Sequence, residues 1–497
     1  MNNKFLIILW VIIISGSIFA GYNYFNNQNI KITGNQTQQS QTETQKTNQS
    51  KPSEETTLIN KSFKDLITEG DKFYKEEDLK NAIKYYKSAT RAFPEKIEGY
   101  LKLIDAYLKN NQNTEAKKES IFLTEKFTTS IEAQIFLIKS QIALKDIENA
   151  KKTLDALNQE DFNVIYYKGI LDILFKNFDT AFESFGKIIN SKDENKAPED
   201  LIKKAEKFIA PKVLFSTYKE GNELFFQTLL AKSLSDAEEG PAAIPLLYDV
   251  INQQNNYRDA WIILGYCYLK TNKIQDSIDA LSQAEALSSE HPQTLFLLGL
   301  AYFANNDIDK AIYYLQEADK NGYEPKEELN LKLGDLYIIK KKYEKASMKY
   351  EEVISQNKSN INIFVKDVYL NIDKLNKPGQ ALKISQEALS AHPNNPMSYN
   401  LLGWSYTALG KFDEAKTYLD KAIELYPNFD AAHLNMGIFY EKQNKLDLAK
   451  EFYKKAYNLG KNNSIATLAA ERYKNLDNQS KNNYYQTNIS SPNSLNN

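Results

Sequence analysis

The residues Tyr399-x2-Leu402-Gly403-x2-Tyr406, then Ala415-x3-Leu419-x2-Ala422, then Pro427, set a frame that returns thirty-four places later. There it reads His433-x2-Met436-Gly437-x2-Tyr440 and Ala449-x3-Tyr453-x2-Ala456. A fixed period of this length constrains the fold more than composition does. Each copy is one supersecondary unit that cannot bury its apolar face alone, so copies must stack. At 497 residues a single compact core is not expected in any case.

The frame runs through most of the chain. It opens after Phe63 with Gly70, Phe73, Ala82, Tyr86, Ala89 and Pro94. Weaker copies follow: Tyr100, Leu103, Tyr107 and Ala116; Leu137, Ala150 and Leu154; Gly169, Ala181, Phe185 and Ile188. Residues 196–222 break the period, with Pro198 and Pro211 around a helix-like stretch at 201–209. The frame resumes at Leu230, Ala231, Leu234, Ala243 and Leu247, then sharpens at Trp261, Gly265, Tyr268, Leu281 and Ala284. Copies around Gly299, Ala311 and Leu315, and around Gly334, Ala346 and Tyr350, come next. A poorer one with Val368, Ala381, Ala388 and Pro393 precedes the two clean copies, making about eleven.

The ends read differently. No charge falls between Lys4 and Lys31, and the apolar run from Phe5 to Tyr22 is just long enough to span a bilayer. Residues 1–22 read either as an uncleaved signal anchor, a transmembrane helix, or as a cleaved secretory signal with Ala20 before the cut. Both readings put the repeats outside the cytoplasm, as a single-pass membrane protein or a secreted one. A cytoplasmic-facing array is the third topology. Residues 23–62 are rich in Asn, Gln, Thr and Ser, have nothing apolar to bury, and read as a flexible polar tether. Residues 464–476 read as an amphipathic helix capping the stack, and 477–497 as a disordered tail.

These residues resemble a tetratricopeptide repeat array over residues 63–463, degenerate at 63–195, interrupted at 196–222 and best kept at 223–463. The resemblance implies an all-α, right-handed superhelical solenoid of helix-turn-helix repeats, here preceded by one N-terminal transmembrane helix. Seven glycines (Gly70, Gly169, Gly265, Gly299, Gly334, Gly403 and Gly437) share one place in the frame, where two helices approach closely. Some members of the family hold a peptide's C-terminal carboxylate with Lys, Asn and Arg on adjacent first helices. Asp71, Asp105 and Leu300 stand where such a clamp needs Asn, so that activity is not implied here.

The chain offers no GxxxxGK[ST], HExxH or GxSxG motif and reads as non-enzymatic, with no cofactor and no metal site. With 62 basic against 64 acidic residues it lacks the basic excess that nucleic acid demands. Cys267, the one cysteine, reads as a buried small hydrophobe. His433 reads as a packing residue, and His291 and His392 as residues at the ends of second helices. Asp276, Asp279, Asp307 and Asp309 read as solvated or capping.

What remains is a surface. In this family the first helices line the concave face. The places three before, one after and four after the frame glycine lie on one side of that helix. They present Ile262, Tyr266 and Leu269, then Phe296, Leu300 and Phe303, then Leu331 and Ile338, then Asn400 and Trp404. An apolar, aromatic stripe there predicts a groove for a protein or peptide. Packing between neighbouring first helices is the competing reading. The expected function is a membrane-tethered scaffold, or else an accessory subunit of an envelope enzyme or of secretion or pilus machinery.

Overall fold

The computed structural model describes residues 61–157, 160–192, 196–217, 223–460 and 463–489. The expected anchor 1–22 and most of the tether lie outside them. Among the described residues no helix is long and apolar enough to cross a membrane.

Every element is helical. The first four hairpins are α1 (Phe63–Lys75) with α2 (Leu79–Ala92), α3 (Ile97–Lys109) with α4 (Asn113–Lys126), α5 (Ile131–Ala143) with α6 (Ile147–Asp155), and α7 (Phe162–Leu174) with α8 (Phe178–Ile189). Two helices fill the break in the period, α9 (Glu199–Glu206) and α10 (Ile209–Thr217). The hairpins α11 (Glu223–Asp236) with α12 (Gly240–Gln253), α13 (Arg258–Lys270) with α14 (Ile274–Leu287), and α15 (Pro292–Ala304) with α16 (Ile308–Lys320) complete a first compact unit, which ends at Asn321. The second unit begins at Gly322. It holds α17 (Lys326–Ile339) with α18 (Tyr343–Gln356), and α19 (Ile361–Tyr369) with α20 (Pro378–Ala391). It continues with α21 (Pro396–Ala408) and α22 (Phe412–Leu425), α23 (Asp430–Lys442) and α24 (Leu446–Gly460), and a final helix, α25 (Ser464–Ile489).

One device ends the first helix of each repeat. A single residue enters the left-handed region, with φ between 50° at Asn376 and 72° at Gly410. Glu77, Asn111, Lys145, Lys176, Glu238, Asn272, Asn306, Lys341 and Asn444 occupy the other turns. This conformation caps the helix: the Asn111 amide donates to the Leu108 carbonyl and the Gln112 amide to that of Tyr107. The eleven turns bear out the number of copies.

The seam of seven of the hairpins is set by the frame glycine. A Cβ on Gly334 would stand 2.7 Å from the Tyr350 ring, and one on Gly299 the same distance from Leu315. The alanines of the second helices, among them Ala82, Ala181, Ala311 and Ala415, are wholly buried. Packing therefore demands small residues where the period shows them.

Three departures from expectation have local causes. In the repeat of Val368 one extra residue lies between the frame place and the turn, and a π-helical turn at Leu370–Lys374 absorbs it, with the Leu375 amide reaching the Leu370 carbonyl. At the C-terminus α25 runs on to Ile489, past the expected end at 476, because no Pro or Gly interrupts 464–489. In the first unit α9 packs on α7 and α8, where the next repeat's first helix would stack, and α12 instead lies against α5 and α7.

Candidate inner face of the second unit

The expected stripe is mostly covered. Ile262, Leu269, Phe296, Leu300, Leu331 and Asn400 are buried, Phe296 completely, whereas Tyr266, Phe303, Ile338 and Trp404 are half-buried. The expectation of an open apolar groove is thus corrected at the first six positions. Helical period told which side of the helix they occupy, not how closely other side chains cover them.

In the second unit the first helices are instead joined by a polar and aromatic ladder. Lys366 of α19 donates to Asp335 of α17 at 2.7 Å, and the Tyr350 hydroxyl donates to the same oxygen. The Tyr369 ring of α19 lies 6.4 Å from that of Trp404 on α21, and the Lys374 ammonium sits 5.3 Å over Tyr369. Asn435 of α23 donates through Nδ2 to Oδ1 of Asn400, 2.9 Å away. Arg472 of α25 pairs with Glu441 of α23 at 3.2 Å, and Tyr453 donates to that carboxylate. Asp335, Tyr369 and Trp404 each stand one place after the frame glycine or its substitute, which puts them on one side of successive first helices.

Buried charge lies close to this ladder. Burial pushes the Glu328 carboxyl up to about 7, against the Lys332 ammonium and a bond from Tyr323 that favour ionisation. Burial lowers Lys332 in turn, with Glu328 and Asp335 opposing. Asp367 is also raised by burial, to about 7, although Ser347 donates to it at 2.5 Å and Asn371 at 3.0 Å. Its Oδ2 is buried without a hydrogen-bond partner among the described residues.

The singled-out residues fall mainly into structural roles. Cys267 is wholly buried, and burial lifts its thiol to about 12, so it is no nucleophile at neutral pH. His433 bonds the Pro427 carbonyl at 2.8 Å and stacks on Phe452. His392 ends α20, its Nε2 2.6 Å from the Lys358 carbonyl. His291 differs from its expected place at a helix end. It is the N-cap of α15, accepting from the Thr294 amide, and burial lowers it to about 4, so it is neutral. Asp307 caps α16 as expected. No cluster able to hold a metal occurs among the described residues.

Tyr369 and Asp335 are the residues that sequence reasoning missed. Val368 replaces the glycine that would have marked Tyr369, and Asp335 is not apolar.

Models of the tetratricopeptide repeat family match residues 264–325, 396–429 and 418–451, the stretches where the frame is cleanest. Among solved structures, the C-terminal part of a repeat protein from Cytophaga hutchinsonii is similar at 15% identity and a TM-score of 0.40, covering 49% of this chain and 98% of that one. Yeast Tom70 is similar at 17% identity and a TM-score of 0.30, covering 84% and 96%. A repeat protein from Parabacteroides merdae is similar at 16% identity and a TM-score of 0.35, covering 50% and 98%. Likenesses of this size carry nothing about partners. The matched stretches include Gly299, Ala311 and Ala415, whose packing is described above, and the chain is a tetratricopeptide repeat protein.

Proposed function

We propose that the chain is a non-enzymatic, membrane-tethered scaffold that binds a protein or peptide on the inner face of its second unit. The observation that carries this reading is the half-buried Tyr369–Trp404 pair within the ladder. Aromatic side chains supply large contact area at low entropic cost, and those with a polar edge also hydrogen-bond, which is why they dominate binding hot spots. The ladder holds both rings in place before a ligand arrives, which lowers the ordering cost of binding. The tether and anchor of residues 1–62 would hold this face near a membrane, with the repeats outside the cytoplasm.

A photo-crosslinking side chain at position 404 in the native membrane tests the docking face. Capture there, lost on Tyr369→Ala with helicity unchanged, supports it. Capture only from a control position on the outer helix α18, such as the exposed Met348, overturns it. External protease on intact cells tests the topology separately: repeats left whole where the envelope admits the protease would reverse it.

A further inference from the structure

The first helices of the third and fourth repeats, α5 and α7, are covered by the chain itself. Glu239 is the N-cap of α12, and among the eleven second helices it is the one buried N-cap; the others, from Asp78 to Lys445, are half-buried or exposed. Ala242, three residues on, repeats the pattern. Its counterparts, from Asn81 and Glu115 to Glu414 and Leu448, are half-buried or exposed, whereas Ala242 is 1% exposed. Burial at these two places is therefore supplied from outside the repeat. The sequence of α12 agrees, since GPAAIPLLYDVINQ carries no charge before Asp249.

The cover comes from α5 and α7. The Tyr167 hydroxyl of α7 donates to Glu239 at 2.9 Å in a buried contact. Around it lie four rim contacts. Lys176 is 3.5 Å from Asp249, Lys145 stands 5.2 Å over the Tyr248 ring, and Lys204 of α9 is 3.4 Å from Glu238. Asn111 donates to the Thr271 carbonyl at 2.6 Å. Burial and Asp105 raise the Tyr74 hydroxyl of α1, and the Glu238 charge adds to them.

We propose that this turn is a displaceable plug, an autoinhibitory contact in which Glu239 stands in for a ligand carboxylate. The opened face would take a helical segment that offers an apolar side and a carboxylate to Tyr167. Two features make the contact reversible. Its charged rim pairs are partly exposed, and such pairs each contribute little, under about 1 kcal/mol. The tip of α12 is built from Gly240 and Ala242, so little apolar area is lost when it withdraws. The proposal is independent of the second-unit face and stands if that reading fails.

Thiol labelling of the full chain tests it. In a Cys267→Ala background, Ala242→Cys reports exposure of the tip, and Ala181→Cys in the α7–α8 seam reports unfolding of the unit. Labelling at 242 should be faster than at 181 and less dependent on urea, the signature of a local opening. Adding Tyr167→Phe and Lys176→Met should accelerate labelling at 242 by about tenfold, the effect of losing one hydrogen bond to a buried carboxylate, and leave 181 unchanged. Equal rates and equal urea dependence at the two sites, with or without the added substitutions, would make the turn fixed core and overturn the proposal. If Ala242→Cys lowers helicity, hydrogen exchange of the α12 amides against those of α8 in the full chain, with and without Tyr167→Phe and Lys176→Met, gives the same comparison.

Discussion

Lys366 reaches back one repeat to Asp335 at 2.7 Å, and Lys102 does the same to Asp71 at 2.9 Å. In both places the acid follows the frame glycine and also accepts from the tyrosine that covers that glycine, Tyr350 or Tyr86. One side chain thus fills the seam of a hairpin and anchors the next first helix. Tyr350 is fully buried as a residue, so removing its acceptor costs more than removing the lysine. Asp335→Ala should destabilise by about 1–3 kcal/mol. Lys366→Met should cost under about 1 kcal/mol, because both partners of the pair are partly exposed. Hydrogen exchange in α17–α19 is the suitable readout, since a stacked array does not unfold as one two-state body. Equal costs would mean that the ion pair, rather than the tyrosine bond, carries the junction.

The frame glycines differ sharply from the glycines that face open space. A Cβ on Gly299 would lie 2.7 Å from Leu315, but one on Gly186 in α8 would meet nothing within 4 Å. Gly299→Ala should therefore cost about 1–3 kcal/mol through overpacking. Gly186→Ala should stabilise by about 0.5–1 kcal/mol, because alanine loses less backbone entropy in a helix. Hydrogen exchange in α15–α16 for the first variant and in α7–α8 for the second decides it. A harmless Gly299→Ala would show that the seam can open without loss.

The glycine and alanine frame is legible because close helix approach favours small residues at those places. The inner faces are less so. A period assigns Phe296 to the inner side but is silent on what covers it. Since that ring is fully buried, Phe296→Ala probes stability rather than docking. Tyr369 is hidden by Val368 and by the extra residue that the π-helical turn absorbs. The folding-back of α12 does leave a trace, a second helix without a charged outer side before Asp249. That trace reads as burial on both faces only once the other second helices are set beside it.

Stability should depend on pH through two buried acids. Glu328 and Asp367 both titrate near 7 in the folded chain, above the ordinary range for unfolded carboxyls of about 4. The folded state then binds more protons than the unfolded state between these values, so stability falls as pH rises from about 4 to 7. Glu328→Gln and Asp367→Asn remove the ionising group while keeping an acceptor for Tyr323 and Ser347. Each variant should be close to the parent at pH 4–5 and more stable than it at pH 8, read as the difference in hydrogen-exchange protection of α17–α19. A difference that is constant across this range would place the titration elsewhere.

The turns give a last comparison, because the same backbone is made by different residues. Lys341 holds φ at 56°, Asn306 at 61° and Gly410 at 72°. In this region the Cβ of an ordinary residue crowds the following carbonyl, at about 1–2 kcal/mol, whereas asparagine tolerates it and glycine has no Cβ. Glycine also loses more backbone entropy on folding, which offsets part of the relief. Lys341→Gly should therefore stabilise the second unit by up to about 1 kcal/mol, and Gly410→Ala should destabilise it by a similar amount. Asn306→Gly, in the first unit, should be nearly neutral. The neighbouring amides still close the turn in every case, as Lys342 does onto the Tyr337 carbonyl and Lys411 onto that of Tyr406. If Lys341→Gly instead weakens the unit, the lysine side chain rather than the backbone governs that turn.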